Sequence, residues 1–201
     1  MSRHGGVGTA RLVLFCSIAL GGFVFDNATK AMVFARIGPP PAPAVPVIPR
    51  ILELHTSQNT GALWGFGASI PYSSQIFAAL SVVAAIIICY WLFFLGAASS
   101  RVLTIALALI MAGAMGNCYD RLVFGSVRDF VHFHVDAVGF DCAIFNFADN
   151  MLIAGALTLV FYAMRTDDHT PGIDEGGPIE TSSVLDPART QSPAHSPSQS
   201  S

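Results

Sequence analysis

Four stretches of this sequence are apolar over a length that crosses a bilayer, which takes roughly 20 residues of helix. They are approximately 12–35, 75–96, 102–119 and 147–165, and the pattern predicts four transmembrane helices. The second contains "IFAALSVVAAIIICYWLFFLG" and carries no charge. The first holds Asp26 and Lys30, and the fourth opens on "FNFADN", with Asn146, Asp149 and Asn150 ahead of the apolar run. An acid at the edge of hydrocarbon needs either a partner or a task. The first stretch, "RLVLFCSIALGGFVF" after Arg3 and Arg11, has the opening of a secretion signal. Its apolar pattern resumes after Lys30 with "AMVFA" and no small-x-small site closes it, so it reads as a retained span.

The polar segments between spans differ in character. "IGPPPAPAVPVIPR" has six prolines in fourteen residues and predicts an extended spacer. The following "ILELHTSQNTGALWGFG" alternates and carries turn glycines, which predicts short strands lying against the membrane surface.

Composition agrees with a membrane chain, at 53% hydrophobic and 11% charged over 201 residues. The net charge of −3 hides an asymmetry: after Arg165 six acids face Arg189 alone, a tail of −5 on a body of +2. No basic patch of the kind nucleic acid requires is present. The sequence divides into a membrane domain, 1–165, and a polar, acidic, Ser- and Pro-rich tail, 166–201, expected to be disordered. Cys16, Cys89, Cys118 and Cys142 have no metal-site spacing, and neither "VLFC" nor "IIIC" resembles a lipid-attachment box. Whether Cys118 and Cys142 pair is left open.

Four spans put both termini on one side of the membrane. Counting arginines gives a tie: Arg3, Arg11, Arg101 and Arg165 against Arg36, Arg50, Arg121 and Arg128. The short "AASSR" loop and the basic N-terminus favour cytoplasmic termini. Parity is firmer than charge. In either orientation the 36–74 loop, the end of span three, the 120–145 loop and the start of span four share one face. On that face fall Asn59, Gly61, Asn117, Asp120, Arg121, Asp129, Asn146 and Asp149. Asp26 lies ~14 Å of helix rise from the same end of span one.

Each of these residues has a structural reading and a chemical one. Asp26 and Lys30 are spaced i, i+4 in the favourable order, so they form either a structural ion pair or part of a site. Either charge alone costs ~2.5–3.5 kcal/mol near the centre of a span. Asp129 and Asp149 are either helix caps or two carboxylates sharing a proton, one acid and one base. In "DFVHFHVD" a strand places His132, His134 and Asp136 on one face and Asp129 on the other. No third group follows at convincing metal spacing, so no metal is expected there. Asn59, Asn117 and Asn146 suit either helix packing or the holding of an extended peptide backbone. A transporter using the acids and Lys30 as an ionisable path, and a non-catalytic scaffold, are rival classes.

"DNATK", "NTGALWGFG", "GNCYDRLVFGSVRDF" and "FNFAD", in this order and spacing, resemble the lipoprotein signal peptidase (signal peptidase II) family over about residues 26–165. The resemblance implies an all-α membrane fold of four transmembrane helices with a small strand-rich extracytoplasmic cradle, in the bacterial inner membrane. It implies an aspartyl peptidase, without cofactor, that removes signal peptides from diacylglyceryl-modified prolipoproteins and is inhibited by globomycin. Matched residue by residue, Asp129 and Asp149 are the catalytic dyad. Asp26, Lys30, Asn59, Gly61, Asn117, Asp120, Arg121 and Asn146 position substrate or support the dyad. Prolipoprotein and membrane lipid are the expected partners, and the expected state is a monomer. Two departures stand out: Leu63–Trp64 where smaller or Ala–Phe residues are usual, and "AGAMGN" in place of a double glycine.

Overall fold

The computed structural model describes residues 8–62, 65–95 and 100–167. Leu63–Trp64 and the tail beyond 167 lie outside the described residues, and with them the expectation of a disordered tail. Four helices carry the apolar windows: α1 (Thr9–Ile37), α2 (Ser73–Phe94), α3 (Arg101–Phe124) and α4 (Phe147–Asp167). Each is long and apolar enough to cross a membrane. At 22 residues, α2 alone rises about 33 Å, the thickness of a hydrocarbon core.

The helix α3 is the hub, packed against each of the other three. Its apolar window is 67% buried, against 17%, 17% and 11% for α1, α2 and α4, so those three leave most of their surface to lipid. Small residues let α3 sit there: Ala106, Ala108 and Ala112 are fully buried. Ala112 stands at the unusual "AGAMGN" position and is met by Gly22 of α1, where an added Cβ would come 2.8 Å from the Ala112 methyl. Close packing of α1 on α3 at this level therefore depends on Gly22. Leu92, Leu103, Leu107 and Met111, with Phe15, fill the core between α1, α2 and α3.

Two expectations need correction. Span three does not stop at 119 but runs to Phe124, so Asp120 and Arg121 lie on its last turns rather than in a loop. Gly125, at φ 75°, ends it. The proline-rich segment is not only a spacer: its second half is β1 (Val45–Ile48), paired antiparallel with β2 (Leu52–Asn59). Pro46 is tolerated because β1 is the sheet edge.

The sheet continues antiparallel through β3 (Val127–Val135) to β4 (Phe140–Asp141), in the order β1-β2-β3-β4. Its strands come from the two long loops that parity assigns to one membrane face, and β2–β3 pairing joins them. All four cysteines are free thiols, so Cys118 and Cys142 do not pair.

Candidate active site

The start of α4 organises the site. Asn146 Oδ1 accepts the Asp149 N–H at 3.0 Å, and Asp149 Oδ2 accepts the Asn146 N–H at 3.2 Å, a reciprocal cap on the first turn. A third free donor of that turn, the Ala148 N–H, goes to Asp26 Oδ1 of α1 at 2.8 Å. The cap reading of Asp149 therefore holds, but it occupies only one carboxylate oxygen. The other, Oδ1, accepts from Asn117 Nδ2 of α3 at 2.8 Å.

Asp129 reaches the same place from β3. It is 2% exposed, and its two oxygens accept from Asn146 Nδ2 at 2.5 Å and Asn59 Nδ2 at 3.2 Å. Asn146 also donates to Asn117 Oδ1 at 3.2 Å. The two acids are thus tied to one another through Asn146 directly and through Asn117 beside it. Burial, and then the charge of Asp149, push the Asp129 carboxyl up to about 7, against the opposing pull of the two amides.

Behind the acids lies a closed ionic network. Lys30 Nζ meets Asp26 at 2.7 Å, Asp120 at 3.2 Å and Asn117 Oδ1 at 3.0 Å, so its three donors are spent. Lys30, Asp26 and Asp120 are all 0% exposed. Arg128 completes it. Its Nη2 lies 2.6 Å and its Nε 3.0 Å from Asp120 Oδ1, its own backbone N–H goes to Asp120 Oδ2 at 2.9 Å, and its guanidinium lies over the Phe124 ring at 4.2 Å. An unpaired charge here would carry a penalty of several kcal/mol, which accounts for the closure. The Asp26–Lys30 ion pair forms at 2.7 Å, and it holds Lys30 against Asn117, one bond from Asp149.

Gly61 and Arg121 form the opposite wall. A Cβ on Gly61 would sit 2.5 Å from the Phe66 carbonyl, so no side chain fits the turn that Asn59 Oδ1 holds by accepting the Gly61 N–H at 2.9 Å. The Gly61 carbonyl accepts from Arg121 Nη2 at 2.7 Å.

A cavity of about 350 Å³ opens on these groups. Asn59, Asn117, Arg121, Asp129 and Asp149 supply its polar end. Phe77, Leu80 and Ala84 of α2, Ile110 of α3 and Ile153 of α4 supply an apolar wall. A peptide bond presented at the polar end would have two carboxylates and three amide or guanidinium groups within its surroundings, with greasy surface for whatever flanks it.

Every site residue named from the sequence joins this assembly. Sequence reasoning missed Arg128, and Asn27, whose Oδ1 accepts from Arg128 Nη2 at 3.4 Å. The available signal was position: Arg128 directly precedes Asp129, and Asn27 directly follows Asp26.

A match to the family described as Signal peptidase (SPase) II covers residues 18–165. A lipoprotein signal peptidase of Rhodopirellula baltica is 36% identical over 181 residues, covering 84% of this chain and 79% of that protein. One of Burkholderia mallei is 34% identical over 155 residues, covering 77% and 89%. Two solved bacterial membrane enzymes, obtained by the in meso method, superpose with TM-scores of 0.68 and 0.67. Both are 26% identical to this chain, covering 84% and 82% of it and 97% and 99% of themselves.

Proposed function

The chain belongs to the signal peptidase II family, and on that premise we propose that it is an aspartic endopeptidase of the bacterial inner membrane. It removes the signal peptide from diacylglyceryl-modified prolipoproteins, cutting on the N-terminal side of the lipidated cysteine. The observation that carries this reading is the convergence of Asp129 and Asp149, from β3 and α4, on one largely apolar cavity.

In the mechanism, the ionised carboxylate of the pair takes a proton from water, whose oxygen attacks the scissile carbonyl carbon. The protonated partner donates a hydrogen bond to the developing oxyanion. Collapse of the tetrahedral intermediate breaks the C–N bond, and the departing cysteine amine takes a proton from the dyad. The signal peptide leaves with a new carboxylate and the lipoprotein with a free N-terminus. A value of about 7 for Asp129 suits a group that holds the shared proton at neutral pH. Asn59, Gly61, Asn117, Arg121 and Asn146 hold the acids and the substrate backbone in place. Asp26, Lys30 and Asp120 keep the support rigid. The reaction needs no cofactor and no covalent intermediate. Both termini are cytoplasmic in this reading, and the sheet with its cavity lies at the outer face, where lipid tethers the substrate cysteine.

The test is cleavage of a diacylglyceryl-modified prolipoprotein by purified protein in detergent. Wild type cleaves and is blocked by globomycin, whereas folded Asp129→Asn and Asp149→Asn do not cleave. Cleavage by either folded variant removes the dyad. Failure of folded wild type on several lipid-modified substrates, with ion flux in proteoliposomes, would favour the transporter class.

A further inference from the structure

The sheet carries a second cluster that the proposed chemistry does not use. Glu53 of β2 stands directly across from His132 of β3 in the strand register. Two residues on, His134 shares that face of β3. Each of the three offers a ligand atom, and these atoms all lie within 4.8 Å of one another. The sequence shows no third group at convincing spacing beside the two histidines; strand pairing supplies Glu53, from about eighty positions upstream.

We propose that Glu53, His132 and His134 form a binding site for a divalent transition cation of the Zn²⁺ class. The orientation of the two imidazoles supports it. Each turns Nε2 toward a carboxylate: His132 to Asp141 Oδ1 at 2.7 Å, and His134 to Asp136 Oδ1 at 3.7 Å. A carboxylate hydrogen-bonded to the outer nitrogen, as Asp141 is to His132, fixes the tautomer and ring angle of a metal-bound histidine and raises its basicity, whereas Asp136 stands beyond hydrogen-bond reach of His134. The inner nitrogens are then left for the metal. His134 Nδ1 is buried and has no hydrogen-bond partner, an acceptor otherwise wasted. His132 Nδ1 lies 2.7 Å from Glu53 Oε1, where a cation would replace the proton between them and release it.

Zn–N and Zn–O bonds of about 2.0–2.2 Å set ligands about 3.3 Å apart in a tetrahedron, so the widest pairs must close by about 1.5 Å or less while His132 Nδ1 and Glu53 Oε1 open by about 0.6 Å. With two imidazoles and one carboxylate, the donor set suits Zn²⁺, Ni²⁺ or Cu²⁺ and not Mg²⁺, which demands oxygen ligands. Glu53, His132 and His134 are half-buried, so the cation enters from solvent and water completes its shell. His55, whose Nδ1 is 4.0 Å from Glu53 Oε1, is a further imidazole beside the cluster. None of the three ligands lines the cavity that holds Asp129, and β3 directs Asp129 to its opposite face. The cation would therefore cross-link β2 to β3 rather than take part in hydrolysis.

The experiment uses full-length protein in detergent, stripped with chelator and dialysed against Zn²⁺ or Mg²⁺. Bound metal is counted by mass spectrometry and unfolding temperature is measured in parallel. Wild type is expected to hold one equivalent of Zn²⁺ more than His132→Ala/His134→Ala and to be raised in Tm by Zn²⁺ but not by Mg²⁺. Glu53→Gln, which keeps the size and a hydrogen bond to His132, is expected to lose the same equivalent. If wild type holds no more Zn²⁺ than the double variant, or Glu53→Gln holds the full equivalent, the site is an ion-pair cluster and the proposal fails. Neither readout depends on peptidase activity.

Discussion

Replacing Asp129 by Asn is expected to abolish cleavage while making the protein more stable above neutral pH. The ordinary carboxyl value of 3.8 is pushed up to about 7 in the fold, a shift of roughly three units. At about 1.4 kcal/mol per unit, ionising Asp129 in place costs about 4 kcal/mol more than ionising it in the unfolded chain. The sign follows from the raised value. The native state holds the proton more tightly, so the associated stability is fully present below about pH 4 and is lost as the pH climbs through about 7. Asn imitates the protonated carboxyl in size and carries no charge. The variant should match wild type at pH 4 and exceed it by up to about 4 kcal/mol at pH 8.5. The assay is reversible unfolding of both proteins in detergent across pH 4 to 9, with cleavage measured on the same preparations. A variant no more stable than wild type at pH 8.5, or a difference that does not change with pH, refutes the reasoning. A loss of stability at all pH values would mean that Asp129 is a structural acid, held for its hydrogen bonds to Asn59 and Asn146.

Asn146→Ala removes the amide that favours the ionised form of Asp129, so the alkaline displacement of the pH–rate profile should increase; an unmoved profile counts against the contact at 2.5 Å. The same substitution deletes the cap on α4, and chemical denaturation should report a loss of about 1–2 kcal/mol. Lys30→Met leaves Asp26 and Asp120 buried with one cation fewer, a destabilisation of about 3–5 kcal/mol that Lys30→Met/Asp26→Asn should partly recover in thermal melts. Gly116→Ala puts a methyl 2.5 Å from Asp26 Oδ2, and activity should fall together with stability because Asp26 holds the Ala148 N–H of α4. In chelator, His132 donates to Glu53 and Asp141 and its pKa is raised through those bonds despite partial burial. Its stabilisation of the sheet is therefore present at acid pH and lost as pH rises through the folded value, so His132→Gln should cost most below pH 6.

The spans were legible because nothing else in the chain is apolar for so long, and parity then gathers the polar residues at one end. Boundaries were less so. Asp120 and Arg121 look like loop residues by polarity, yet they continue α3 because Lys30 and Arg128 pair with Asp120 and the Gly61 carbonyl accepts from Arg121 inside the protein. Polarity marks a helix end only when the polar groups must reach water. The strand β1 was hidden by prolines, whose missing N–H matters little at an edge. Arg128 was hidden by topology: counted as one of the arginines in a loop, it folds back eight residues to Asp120 across the turn at Gly125. Glu53 was hidden more thoroughly, since only strand register sets it against His132.

The buried ionic network has consequences for how the enzyme is made. Lys30 enters the bilayer with the first span, Asp120 with the third, and the N–H group that engages Asp26 with the fourth. During synthesis the first two spans alone therefore hold Lys30 paired only with Asp26, and the first three still leave Asp26 without the Ala148 N–H. The proposed catalytic pair comes together only once the last span has been threaded, because Asp149 and its amide partner Asn146 lie at the start of that span. A chain truncated before residue 146 would lack Asn146, Asp149 and the Ala148 N–H that engages Asp26. Closure of the buried network, and with it the geometry of the cavity, therefore waits on the fourth span.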